Sequence, residues 1–260
     1  MSQRQSKQQG AVMAGASISE FDGVRYLHLG TEWVQGAMRI RKPMQLELEY
    51  IQRMMAWMLW RPTDELDQGH AVQLGLGASA ITRFTHQMLR MRTTAVELNA
   101  TVIDACHLWF HLPDNDERLT VLNLDAAEWV RDPAHLQAVQ VLCVDLYDHD
   151  AAAPVLDDAA FYAACHGVLA PGGLMAVNLF GRDASFERSA AHIASAFGSD
   201  QVWQLAPTKE GNTVVVAGRG VVVPDRESLV ARARAIEARF GLKAGKWLRL
   251  VWPYRPAQAG

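Results

Sequence analysis

The sequence predicts an α/β chain whose mostly parallel sheet is doubly wound, with helices over both faces. Two observations point there. From His70 onward, short apolar runs alternate with amphipathic helical stretches, and the runs are apolar at successive positions, as strands buried on both faces must be. The first run also ends in a glycine turn that opens a helix, the usual entry to a doubly wound sheet. With 260 residues, of which 50% are hydrophobic and 20% charged, the chain can bury a full core without disulfides.

The elements follow in order. Residues 1–18 read as a polar, flexible leader, and Ala11 to Ile18 makes a poor signal-peptide core. Residues 19–62 read as a small unit. Val24 to Leu29 alternates like a strand, Gly30-Thr31-Glu32 turns, and Trp33 to Ile40 returns as the second arm of a hairpin. Pro43 then suits a helix start, and Leu46, Tyr50, Met54, Trp57 and Met58 repeat at helical spacing up to Pro62.

Residues 63–220 form the main α/β unit. Strands are predicted at Ala71 to Leu74, Thr94 to Val96, Leu119 to Leu122, Val139 to Val144 and Leu174 to Leu179. Helices are predicted near Ala80 to Met91, Ala100 to Phe110, Ala126 to Val130, Asp158 to Leu169 and Ala184 to Phe197. Gln201 to Leu205 and Thr213 to Ala217 close the sheet as an antiparallel hairpin. Residues 221–260 give a helix from Pro224-Asp225 that Gly241 stops, then a basic, solvated tail interleaved with Trp247, Leu250 and Trp252.

A formal charge of −3 supplies no field to attract nucleic acid or anionic lipid, and no apolar run approaches the roughly 18 residues of a membrane span. Cys106, Cys143 and Cys165 stand apart in apolar surroundings. They read as buried thiols of a reducing compartment, so the expected location is cytoplasmic.

The chemistry gathers at strand ends. In Leu74-Gly75-Leu76-Gly77-Ala78-Ser79-Ala80, Gly75 and Gly77 allow a tight turn and let a ligand approach the backbone. Glu97 ends the next strand, where an acid can accept bonds from both ribose hydroxyls. Asp125 and Asp145 follow two further strands on the same rim. The run Asp145-Leu146-Tyr147-Asp148 suits an amine that is to be bound and deprotonated. His149 with Asp148 or Asp150 offers metal-ligand types as well, although adjacent positions rarely converge on one ion. His86, His107, His111 and His166 share no motif and read as structural, and Met54, Met55 and Met58 as core.

These motifs, in this order from Val24 to Gly218, resemble the spermidine synthase (polyamine aminopropyltransferase) family. Leu27-His28-Leu29-Gly30 with Gln35 is similar to its hairpin, whose glutamine touches the nucleoside, and Tyr50 falls on its substrate-site tyrosine. Val72 to Arg83 resembles the donor loop, Val96-Glu97-Leu98-Asn99 the ribose segment, and Asp125 the acid that contacts adenine. Val144 to Asp148 resembles the signature in which Asp145 helps deprotonate the attacking amine, and Leu169 to Gly173 with Asn178 continues the pattern. The resemblance implies a seven-stranded, methyltransferase-type (Rossmann-like) sheet behind the N-terminal β-hairpin segment. It implies no prosthetic group, and as co-substrate decarboxylated S-adenosylmethionine or S-adenosylmethionine. Asp148 would hold the far ammonium of a polyamine acceptor such as putrescine, in a homodimer or higher oligomer.

Two departures stand out. The family carries an aspartate at the position of Ala78, where it binds the donor's amine, and the loop after Asp148 lacks the family's Asp-Pro-x-Gly-Pro run. Ala78 removes a partner for that amine and a repulsive element against an ordinary donor's carboxylate. The resemblance implies aminopropyl transfer first, while Ala78 adds weight to methyl transfer. A methyltransferase on the same site and a non-catalytic nucleoside-binding relative remain as alternatives. A dinucleotide-dependent oxidoreductase, whose fingerprint Gly75-x-Gly77-x-x-Ala80 also fits, is disfavoured by Asp125.

Overall fold

The computed structural model describes residues 14–146, 156–180 and 184–255. A small antiparallel sheet comes first: β1 (Ala16–Phe21), β2 (Val24–Leu29) and β3 (Val34–Arg39). Asp22 and Gly23, both at positive φ, close β1 onto β2 as a two-residue hairpin whose twist suits the strands. The expected hairpin is thus a three-stranded sheet. Its first strand starts at Ala16, inside the stretch read as leader, and Phe21 is 77% exposed. Ser17, Ser19 and Glu20 give that strand no apolar signal.

The expected long helix from Pro43 is also shorter. Turns from Lys42 to Arg39 and from Gln45 to Lys42, with the Arg39–Glu47 ion pair, hold the chain against β3. Helix α1 (Glu49–Met54) therefore begins only at Glu49 and tightens into a 3₁₀ segment over Met55–Trp60. Met54 to Leu59 have no exposed surface, which fits the apolar stripe.

The main sheet has eight strands in the order β11-β9-β10-β8-β7-β4-β5-β6. β4 (His70–Leu74), β5 (Arg92–Glu97), β6 (Leu119–Asn123), β7 (Val139–Val144) and β8 (Leu169–Phe180) run parallel. β9 (Val202–Leu205) and β10 (Asn212–Gly218) are antiparallel to their neighbours. Seven strands match expectation. The eighth, β11 (Val251–Pro253), comes from the tail: after α7 (Arg226–Phe240) stops at Gly241, α8 (Ala244–Leu250) folds back and β11 pairs with β9. Trp247 and Tyr254 are buried while Lys243, Lys246, Arg249 and Arg255 are exposed, so the basic side chains are solvated between packing residues as expected, although Trp252 is exposed rather than packed.

Successive residues of each central strand enter opposite cores. Val141 and Cys143 pack with α1 and the Met55–Trp60 segment, whereas Leu142 and Val144 pack with α5 (Ala159–Val168) and α6 (Ala184–Phe197). This two-sided burial is what makes the central strand sequences apolar at successive positions rather than alternating, as in Val141 to Val144. Remaining helices are α2 (Ala80–Arg83, continued by a π turn to Met88), α3 (Ala100–Trp109) and α4 (Ala126–Arg131). Among the described residues, no helix is long and apolar enough to cross a membrane.

Candidate active site

Strand order reverses between β4 and β7, and ligands of open α/β sheets bind beyond the carboxyl ends at such a point. Here the two ends cross closely. The Asp145 N–H donates to Leu74 O at 2.9 Å, and a Cβ on Gly75 would lie 2.1 Å from Asp145 O. Only glycine fits there, and its φ of +83° is the conformation glycine tolerates.

Above this crossing lies a cavity of about 880 Å³ lined by Gln35, Tyr50, Gly75, Gly77, Glu97, Asp125 and Asp145. Seven of the eight candidate residues thus converge on one space; Asp148, with His149 and Asp150, lies outside the described residues. Four more acids, Glu32, Glu47, Glu49 and Glu210, also line the cavity, so that with Glu97, Asp125 and Asp145 it carries seven carboxylates, and no Lys or Arg lines it among the described residues.

Each side chain is held by its element. Glu97 accepts the Leu76 N–H on one oxygen and the Asn99 N–H on the other, both at 2.8 Å. Burial pushes its carboxyl above the ordinary value, against the pull of these backbone donors. The Cys106 thiol, buried beneath the loop, donates to Gly77 O. Asp125 caps α4, accepting the Ala127 N–H at 2.6 Å.

Asp145 is enclosed. Asn178 Nδ2 donates to its Oδ1 at 2.9 Å and the Tyr50 hydroxyl to its Oδ2 at 3.2 Å. Burial nevertheless raises its pKa from 3.8 to about 6, because two neutral donors do not replace the lost hydration of a carboxylate. Behind the site, Glu47 pairs with Arg39, and Glu49 with Arg53 and Lys246. Among the described residues, Glu32 and Glu210 have no ion pair.

Ala78 is 3% exposed, and the hairpin presses on it: a Cβ on Gly36 would lie 2.5 Å from its Cβ and its backbone N. It lies outside the lining of the large cavity and lines a neighbouring pocket of about 10 Å³, the size of a single water.

The doubly wound sheet, with a cavity at its switch point rimmed by acids, defines a protein of methyltransferase-type architecture. No protein-family model matches the chain. It is 32% identical over 227 residues to the polyamine aminopropyltransferase of Neisseria meningitidis serogroup B, covering 86% of this chain and 84% of that one. To the polyamine aminopropyltransferase of Chromobacterium violaceum it is 28% identical over 250 residues, covering 95% and 93%. A probable spermidine synthase from Corynebacterium glutamicum superposes with a TM-score of 0.70 at 19% identity, over 86% and 84% of the two chains. Human methyltransferase-like protein 13 in complex with SAH superposes with 0.63 at 18% identity, over 82% and 98%. The chain belongs to the polyamine aminopropyltransferase family, and is a transferase.

Sequence reasoning missed Glu210 and Asn212 because β10 runs antiparallel, so that its start rather than its end lies on the rim. Glu47 and Glu49 were hidden in a segment whose periodicity reads as one helix.

Proposed function

We propose that this chain transfers the aminopropyl group of decarboxylated S-adenosylmethionine to a small polyamine such as putrescine. The observation that carries the reading is the cavity lining, seven carboxylates and no cation among the described residues. Such a wall attracts an ammonium chain and a sulfonium, and repels a ligand bearing a carboxylate of its own. Ordinary S-adenosylmethionine carries that carboxylate, and it would find no guanidinium or ammonium among the lining residues. The lining therefore favours the decarboxylated donor, even though Ala78 offers its amine no partner.

In this reading Glu97 accepts the ribose hydroxyls, with acceptor capacity left on both oxygens beyond its two backbone bonds. Asp125 accepts the adenine amino group, Gln35 touches the nucleoside, and Gly75 and Gly77 let it lie against the backbone. Asp145, with Tyr50 on its other oxygen, binds the acceptor's reacting nitrogen and takes its proton; a pKa of about 6 keeps the carboxyl ionised at neutral pH. The freed nitrogen lone pair attacks the propyl carbon next to sulfur. That C–S bond breaks, its electrons neutralise the sulfonium, and methylthioadenosine leaves. Asp148 would bind the far ammonium. Positioning and desolvation of two charged reactants supply most of the acceleration.

Mass spectrometry after incubation with putrescine and decarboxylated S-adenosylmethionine tests this directly. Methylthioadenosine together with spermidine is expected. Intact nucleoside binding with neither product would overturn it.

A further inference from the structure

We propose that Asn212 is a positioning residue: acting through Asn178, it keeps a hydrogen-bond donor aimed at Asp145. The proposal rests on the reading of Asp145 as proton acceptor only for its catalytic meaning; the contact chain itself is geometric. Asn212 Nδ2 donates to Asn178 Oδ1 at 3.1 Å, and Asn178 Nδ2 donates to Asp145 Oδ1 at 2.9 Å. Both amides are buried, Asn178 3% and Asn212 9% exposed.

The register explains why they meet. Val214 lies opposite Asn178 and Asn212 opposite Phe180, so Asn212 and Asn178 are diagonal neighbours on one face of the β8–β10 pair. Asn212 is itself fixed at the base of its turn: its N–H donates to Thr208 Oγ1, its carbonyl accepts the Thr208 N–H, and Arg53 holds Ala206 O from α1.

An amide has an acceptor end and a donor end. With its oxygen occupied by Asn212, Asn178 offers its N–H to Asp145. Turned round, it would set oxygen against oxygen, which is tolerable only when Asp145 holds a proton. A chain of donors ending on an anion also polarises along its length, which strengthens the last bond most when Asp145 is charged. Asn212 therefore favours the ionised, proton-accepting form, opposing the burial that pushes Asp145 toward neutrality.

The other groups around Asp145 do not substitute for this chain. Tyr50 reaches it from α1 and the buried Cys143 thiol lies on β7 itself; β4 and the turn after it meet only its backbone, through Leu74 O and Gly75. The other carboxylates of the cavity, Glu32, Glu47, Glu49, Glu97, Asp125 and Glu210, have no hydrogen to donate to Asp145 when ionised.

The test follows the Asp145 carboxyl ¹³C signal against pH in the unliganded full chain, the signal assigned by its loss in Asp145→Asn. Asn212→Leu is expected to move the midpoint upward by about one pH unit, and Asn178→Leu by at least as much. Asn212→Leu added to Asn178→Leu should move it no further. Asn212→Ser, too short to reach Asn178, carries the same expectation should the leucine variant not fold. An unmoved midpoint in Asn212→Leu or Asn212→Ser, or an equal movement in both backgrounds, would overturn the proposal. Turnover by Asp145→Asn would instead overturn the catalytic reading of Asp145, which the titration does not depend on.

Discussion

A single buried carboxyl connects the chemistry of this site to the stability of the fold. Asp145 titrates at about 6 in the folded chain against 3.8 for an ordinary aspartate. Between these values the folded state binds more protons than the unfolded one, so stability falls as pH rises through that window and stays lower above it. The displacement corresponds to at most about 3 kcal/mol, with desolvation as its main cause. Asp145→Asn keeps partners for both Asn178 and Tyr50 but has no charge to desolvate. We expect it to melt above the parent at pH 7.5, with the gain shrinking toward pH 4, and to lose at least a hundredfold in turnover while nucleoside affinity holds. Thermal scans at the two pH values beside steady-state rates check both parts. In the parent chain, kcat/KM should fall on acidification below about pH 6, tenfold per pH unit once Asp145 is protonated; a profile flat to pH 5 would remove Asp145 from proton transfer.

At the level of elements, the N-terminal sheet forms one wall of the cavity, and β3 lies directly on the glycine loop. Gly36 touches the backbone of Ala78, so a methyl group added at Gly36 must push β3 off that loop. Gly36→Ala is expected to weaken nucleoside binding about tenfold by calorimetry, with far-ultraviolet circular dichroism unchanged; unaltered affinity would mean the hairpin only caps the domain. How far these elements could be read from sequence follows from where they bury their side chains. β4 to β8 announce themselves because both faces are covered, and Glu97, Asp125 and Asp145 because parallel strands deliver their ends to one rim. β1 escapes detection because Ser17, Ser19 and Glu20 on an exposed sheet carry no apolar period. β11 escapes because three residues, one of them Pro253, are too few to show one, and their burial is decided by pairing with β9 across more than forty intervening residues. Asn212 was invisible as a site residue for a similar reason: its partner Asn178 is known only once the β8–β10 register is known.

Over the whole molecule the charge is nearly balanced, with a formal value of −3, yet the distribution is not, since seven acids share one cavity. Two of them, Glu47 and Glu49, are answered from behind by Arg39, Arg53 and Lys246, whereas Glu210 on the β9–β10 turn has no ion pair among the described residues. Its field acts on cations approaching from solvent, and solvent charges are screened over about 8 Å at physiological ionic strength. Acceptor capture should therefore depend on salt and on acceptor charge. Raising sodium chloride from 50 to 500 mM is expected to lower kcat/KM for a diamine severalfold, and for a triamine more, while kcat changes little. Glu210→Gln should flatten that dependence without moving the Asp145 pH limb, because it removes an outlying attraction and touches no reacting atom. Stopped-flow or steady-state rates across the salt series decide the point. Equal salt slopes for the parent and the variant would place the capturing charge elsewhere on the wall.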